Sequence, residues 1–110
     1  MSRMQQRKGK AFENQVANLI GSTLGEWLTR NLRQYGKNAG RDLLTWLPFC
    51  FQCQHAKRID PYRKLKEARE SALDGEMPVA ILRRDRQRII AVMDLDDWLA
   101  LVQSVLHVEK

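Results

Sequence analysis

The sequence is poor in cysteine, proline and acid. Two cysteines, Cys50 and Cys53, are too few for the disulfide framework of a small secreted fold. Three prolines and six glycines in 110 residues leave no room for a low-complexity linker, and no internal repeat is visible. No apolar run approaches the ~18 residues of a membrane span. The first residues, Met1 to Lys8, are basic with no apolar stretch behind them, unlike a secretory signal. These absences leave a cytoplasmic protein without a membrane partner as the expectation. Acids are outnumbered, 13 against 19 Lys and Arg, for a net charge of +6. A small domain this basic points to a polyanion, nucleic acid first. With 44% apolar residues, the chain can bury a core as one domain over residues 1–110, with 1–9 as a basic arm.

Periodicity supplies the elements. Phe12, Val16, Leu19, Ile20 and Leu24 share one helical face, and Gly21 and Gly25 end that helix. Trp27 to Arg33 fits a strand or a continued helix. Gly36 to Gly40 reads as a loop. Leu43–Trp46 and Phe49–Gln54 form two arms of a hairpin broken at Leu47-Pro48. Asp60 caps a basic helix with Pro61 at its first position, running to Leu73. Pro78–Arg83 and Arg88–Met93 form a second hairpin. Asp94 or Asp96 then caps a last helix with apolar Leu95, Trp98, Leu99, Leu101, Val102 and Leu106. The order is α-β-β-β-α-β-β-α, an α/β fold with a mixed sheet. Trp27, Trp46 and Trp98 are expected in the core, Trp46 being the one suspected of exposure.

Two constellations could carry chemistry. Cys50-x-x-Cys53 has the spacing of a zinc or redox pair, but in a strand residues three apart face opposite sides. Two unpaired thiols are expected, and His55, on the face of Cys53, adds little to a metal site. The second constellation is acidic. Glu13 lies beside the first helix's buried stripe, and Asp42 opens a strand. Ten residues on, Gln52 and Gln54 share one strand face. A Mg²⁺ site for phosphodiester cleavage needs carboxylate and other oxygen ligands, and a lysine to orient the attacking water.

An ordered set of short motifs runs along the chain: Lys8-Gly9-Lys10-Ala11-Phe12-Glu13, then Arg30-Asn31-Leu32-Arg33-Gln34, then Gly40-Arg41-Asp42-Leu43. Leu47-Pro48-Phe49-Cys50-Phe51-Gln52-Cys53-Gln54, Pro78 to Arg86 and Asp94 to Leu99 complete it. The set resembles the small phage and prophage Holliday-junction-resolvase-like nucleases of the PD-(D/E)xK superfamily. The likeness covers roughly residues 8–102. It implies a restriction-endonuclease-like core, with a mixed sheet flanked by helices. It also implies a Mg²⁺- or Mn²⁺-dependent endonuclease for branched DNA, homodimeric, with no small-molecule cofactor, in a bacterial cytoplasm. Asp42 and Glu13 would ligate the metal, with Gln52 and the carbonyl of Cys53.

The departures from the family pattern are at its E-x-K positions, occupied by Gln52 and Gln54. Gln54 cannot act as a cation. Glu67, where the family has a helical glutamine, could supply the missing carboxylate by migration, or simply pair with Arg63 or Lys64. Lys57, Lys64 and Lys66 remain open as replacements for the lysine. Arg30, Gln34, Lys57, Arg58, Arg63, Lys66, Arg83, Arg84 and Arg86 are the expected DNA contacts. A domain that binds DNA without cutting is the alternative.

Overall fold

Residues 3–32 and 40–108 are described by the computed structural model; Gln34 and most of the Gly36–Gly40 loop lie outside them. The first helix, α1 (Arg3–Leu24), is longer than expected. The presumed basic arm is helical from Arg3 because Arg, Met, Gln and Lys are good helix formers. Its end is a Schellman turn: Gly25 takes φ +68° and the Glu26 N–H reaches the Gly21 carbonyl at 2.9 Å.

The ambiguous segment after α1 holds a short strand, β1 (Leu28–Arg30), paired antiparallel with β2 (Leu43–Thr45). The expected hairpin of β2 with the next strand is not a full ladder. Instead β3 (Phe49–Ala56) pairs in parallel with β4 (Met77–Arg84), which pairs antiparallel with β5 (Ile90–Met93). At Leu47-Pro48 the chain doubles back within two residues, Phe49 N–H to Leu47 carbonyl at 2.8 Å. That leaves β2 joined to β3 through the Asp42 N–H and the Phe51 carbonyl, 3.0 Å apart. The parallel β3–β4 pair needs a crossover, and α2 (Pro61–Ser71) supplies it. Asp60 caps α2 by accepting the Arg63 N–H at 3.2 Å, and the helix stops two residues before Leu73. The chain ends in α3 (Leu95–Val108). Asp94 lies at its start, but the Asp94 carboxylate pairs with Arg69 at 2.8 Å.

The mixed sheet thus carries helices on both faces, in the expected element order. Phe12, Val16 and Ala17 of α1 bury against Leu43, Phe51, Cys53, Val79 and Ile81. Strand alternation turns Cys50, Gln52, Ala80 and Leu82 the other way, towards the α2 side, where Leu65 and Ala68 are buried. No described helix is long and apolar enough to cross a membrane. The tryptophans are not core: Trp27, Trp46 and Trp98 are each half exposed or more. Trp27 sits in the link between α1 and β1, Trp46 follows a three-residue strand and bonds Glu26 at 2.9 Å, and Trp98 lies on the solvent side of α3.

One buried ion pair locks the loop before β2 to the far side of the sheet. Arg41, 5% exposed, donates two hydrogen bonds to Glu76 at 2.8 and 2.6 Å, and a third to the Ser71 carbonyl at 3.1 Å. Gly40 comes so close to Ser71 that a Cβ would lie 2.7 Å from its hydroxyl, and its φ of +90° excludes other residues as well. Removing one partner of such a pair leaves a buried charge, at about 3–5 kcal/mol. Arg41→Met should therefore lose about that much in urea unfolding, whereas Arg41→Met with Glu76→Leu should recover most of it. A single variant as stable as wild type would refute the claim that this pair holds the loop.

Candidate functional site

Asp42 is the most constrained side chain of the expected set. Its carbonyl accepts the Asn31 N–H at 2.9 Å, its N–H reaches Phe51, and its Oδ2 accepts the Cys53 N–H at 2.6 Å. Asn31 also grips the preceding residue, Nδ2 to the Arg41 carbonyl at 2.8 Å. The carboxylate is thereby aimed across β3, at the middle of the Gln52-Cys53-Gln54 run.

Glu13 approaches from α1. Its nearest cation is Arg30 of β1, Nε to Oε2 at 3.5 Å. Arg30 is thus a member of the acidic site and not the free DNA contact that the sequence suggested. From α2 come Glu67 and Lys64, paired at 2.8 Å, with Arg63 more distant at 3.9 Å. The two predicted partners of Glu67 are therefore both real.

Electrostatics couple Asp42 to groups on both α1 and α2. The Asp42 carboxyl is pushed above the ordinary range by burial; the Cys53 N–H and Lys64 pull it back, and Glu67 pushes it further up. Glu13 is also raised, by burial first and then by Asp42, with Arg30 opposing. Asp42, just before β2, thus interacts separately with Glu13 of α1 and with Glu67 of α2. Lys64 is the lysine whose charge acts on Asp42. Lys57 and Lys66 are exposed, and Lys66 lies 3.9 Å from Glu70.

Gln52 is buried, and its Nε2 donates to the Gly40 carbonyl. The amide nitrogen thus ties β3 to the loop before Asp42, a structural task the sequence did not indicate. Gln54 is half-buried. Cys53 sits in the core cluster and burial first, then Asp42 and Glu13, drives its thiol far up; Cys50 is buried and raised too. Neither thiol is poised to react at neutral pH, and both are free, as the alternation of strand faces requires.

Among the described residues no three of His, Cys, Asp and Glu come close enough to hold a metal between them. The donors nevertheless suit Mg²⁺, a hard ion commonly held by one or two carboxylates plus water and substrate phosphate. Asp42 and Glu13, both raised by burial, are the carboxylates that would hold such an ion, with the Cys53 carbonyl and Gln52 as neutral oxygens.

Exposed cations lie at two places. Lys57 and Arg58 follow β3, and Arg63 and Lys66 lie on α2; Arg84 and Arg86 lie at the β4–β5 turn. Arg83 is more buried and gives its Nε to the Gln87 carbonyl at 3.0 Å. The turn is drawn back to α1, since Asp85 bonds Lys8 and lies 3.2 Å from His55 Nε2. His55 is held below its usual pKa by burial, Lys8 and Arg83. Beside the turn an open cavity of about 540 Å³ is lined by Ile59, Leu82, Ile90, Arg84 and Arg88 among others; it contains none of the carboxylates.

Comparison of the chain with family models, curated proteins and solved structures finds no match. The site must be judged on its geometry.

That geometry makes a thermodynamic claim. An acid whose pKa is raised on folding destabilises the fold once ionised. For Asp42 the penalty is absent below the unfolded value of about 3.9, grows as pH rises through the raised folded pKa, and is full above it. Asp42→Asn keeps an acceptor for the Cys53 N–H and removes the charge. It should therefore stabilise the protein at pH 7, by about 0.5–2 kcal/mol, with no gain at pH 3. Thermal melts at both pH values read this out, and a loss of stability at pH 7 would contradict it.

Proposed function

We propose that this chain is a metal-dependent, structure-selective DNA endonuclease, similar to phage and prophage Holliday junction resolvases and built on a restriction-endonuclease-like core. The observation that carries the reading is that Asp42 interacts electrostatically both with Glu13 of α1 and with the Glu67–Lys64 pair of α2. The element order, the parallel β3–β4 crossover and the position of Asp42 at the start of β2 support the same reading.

Asp42 and Glu13 are the residues that would hold Mg²⁺ or Mn²⁺, with the Cys53 carbonyl and Gln52. When bound, the ion supplies positive charge that polarises the phosphate and acidifies the attacking water. The chain's own residues do the rest. Arg30 holds Glu13 near Asp42, and Asn31 and Arg41 hold the Asp42 backbone. Lys64 takes the place of the lysine absent at Gln54, and Glu67 takes that of the carboxylate absent at Gln52. Lys64 sits one helical turn before Glu67, so one α2 turn restores both functions. Lys57, Arg58, Arg63, Lys66, Arg84 and Arg86 would contact phosphates, with Arg83 supporting the turn.

A second reading, DNA binding without cutting, has its own support. Gln52 spends its amide on Gly40, and Glu67 is neutralised by Lys64 at rest. Cleavage of a four-way junction in Mg²⁺ and Mn²⁺ separates the two. Wild type should cut, while Asp42→Asn, Glu67→Gln and Lys64→Met should each lose at least ~100-fold, the scale of a positioned electrostatic or acid–base group, with binding intact. Binding should weaken with salt, log K against log[salt] sloping near −5 if about six phosphates are contacted. Binding with no cutting in either metal selects the second reading. Cutting that survives Asp42→Asn removes the site.

A further inference from the structure

The open cavity beside the β4–β5 turn lies apart from the carboxylates and has a chemistry of its own. Its floor is apolar: Leu82, 1% exposed, with Ile59 and Pro61 from the start of α2 and Ile90 from β5. Leu82 pairs with Ile90 across the ladder, and strand alternation puts Arg84 on the face of that pair. Arg84 and Arg88 both line the cavity, from either end of the turn.

The acids of the neighbourhood are committed elsewhere. By the same alternation Asp85 falls on the opposite face, where its carboxylate meets Lys8 and His55. Its N–H is held by the Ala56 carbonyl at 3.2 Å. The Asp60 carboxylate accepts the Arg63 N–H as the cap of α2. Among the described residues no acid lines the cavity, and neither Arg84 nor Arg88 has an ion pair or a side-chain hydrogen bond. The turn that carries both is itself fixed. The Gln87 N–H donates to the Arg84 carbonyl at 3.0 Å, and Arg83 Nε to the Gln87 carbonyl at 3.0 Å.

We propose that this cavity binds a small organic anion, an apolar body carrying one carboxylate or phosphate group. Its volume of about 540 Å³ lies within the roughly 300–1,000 Å³ of small-molecule sites. Two unpaired guanidiniums offer forked donors that match an oxyanion. Beside an apolar floor their charge is screened less than in bulk water. The arginines select against neutral and cationic ligands, and the floor selects against a bare anion. Floor and turn are both in place before a ligand arrives, which lowers the ordering cost of binding. The cavity shares only Arg84 with the proposed DNA contacts and no residue with the carboxylate site, so anion binding and cleavage are separable by assay.

Isothermal titration calorimetry of the full chain is the test. Octanoate, phenylbutanoate and octyl phosphate are the probes; octanol, octylamine and inorganic phosphate are the controls. At least one probe should bind tenfold or more tightly than every control, and comparison of octanoate with octyl phosphate assigns the head group. Arg84→Gln and Arg88→Gln should each weaken that probe at least tenfold, the scale of a hydrogen bond to a charged group. Ile90→Trp, which fills the cavity from a half-exposed position, should abolish binding with unchanged circular dichroism. In wild type, amide NMR shifts on adding the probe should centre on Gln87, Arg88 and Ile90, a readout that holds even if a variant fails to fold. Failure of all three probes to bind, equal binding of octanol or of inorganic phosphate, or shifts centred on α3 overturns the proposal. So does an Arg84→Gln protein that loses affinity for a four-way junction but keeps its affinity for the probe.

Discussion

The buried Arg41–Glu76 pair is the constraint on which the rest depends. It reaches from the loop before β2 to the loop before β4, and Arg41 also closes on the last residue of α2. Residues about 30 positions apart in sequence, the loop before β2 and the stretch from the end of α2 to the start of β4, meet at one guanidinium. Arg41 is held above its ordinary pKa and Glu76 below it, chiefly by their mutual hydrogen bonds. Because the next residue is Asp42, anchoring Arg41 also sets where that carboxylate enters the sheet. The pair is costly to desolvate, and what it secures is a position.

The acidic region carries the opposite kind of electrostatics. Asp42 and Glu13 are both raised, so the fold pays in stability to keep two carboxylates near each other. Each has a partial compensation, Arg30 for Glu13 and the Cys53 N–H for Asp42, and neither is fully relieved. Such unrelieved charge beside a neighbouring lysine is what a functional site would need and what a packing core would avoid. Lys64 and Glu67 belong to it because α2 crosses from β3 to β4 on the side towards which Gln52 turns. The proposed exchange of carboxylate and amide between strand and helix rests on that crossover.

Much of the layout was legible in the residues. Phe12 and Val16 marked the buried face of α1, and Asp60-Pro61 marked the start of α2. Alternation along Phe49–Gln54 separated the two thiols. Three things were not legible. Arg41 stood out only as the motif neighbour of Asp42, because its partner lies 35 residues away. Lys64 could not be chosen over Lys57 or Lys66, because helix spacing does not say which side faces Asp42. Trp98 read as core, because an apolar stripe looks the same whether or not the rest of the chain packs against it.

The division follows from the range of the forces. Local spacing and capping determined where helices and strands begin and end, and which side chains share a face, because those depend on neighbours a few residues apart. Tertiary structure alone decided which strands pair, that Arg30 serves Glu13, and that Asp42 interacts with Glu13 on one side and with Lys64 and Glu67 on the other. It also decided that Leu95, Trp98 and Val105 of α3 stay exposed. Those outcomes depend on where the parallel crossover carries α2 and where the chain leaves the sheet, and no short-range pattern encodes either.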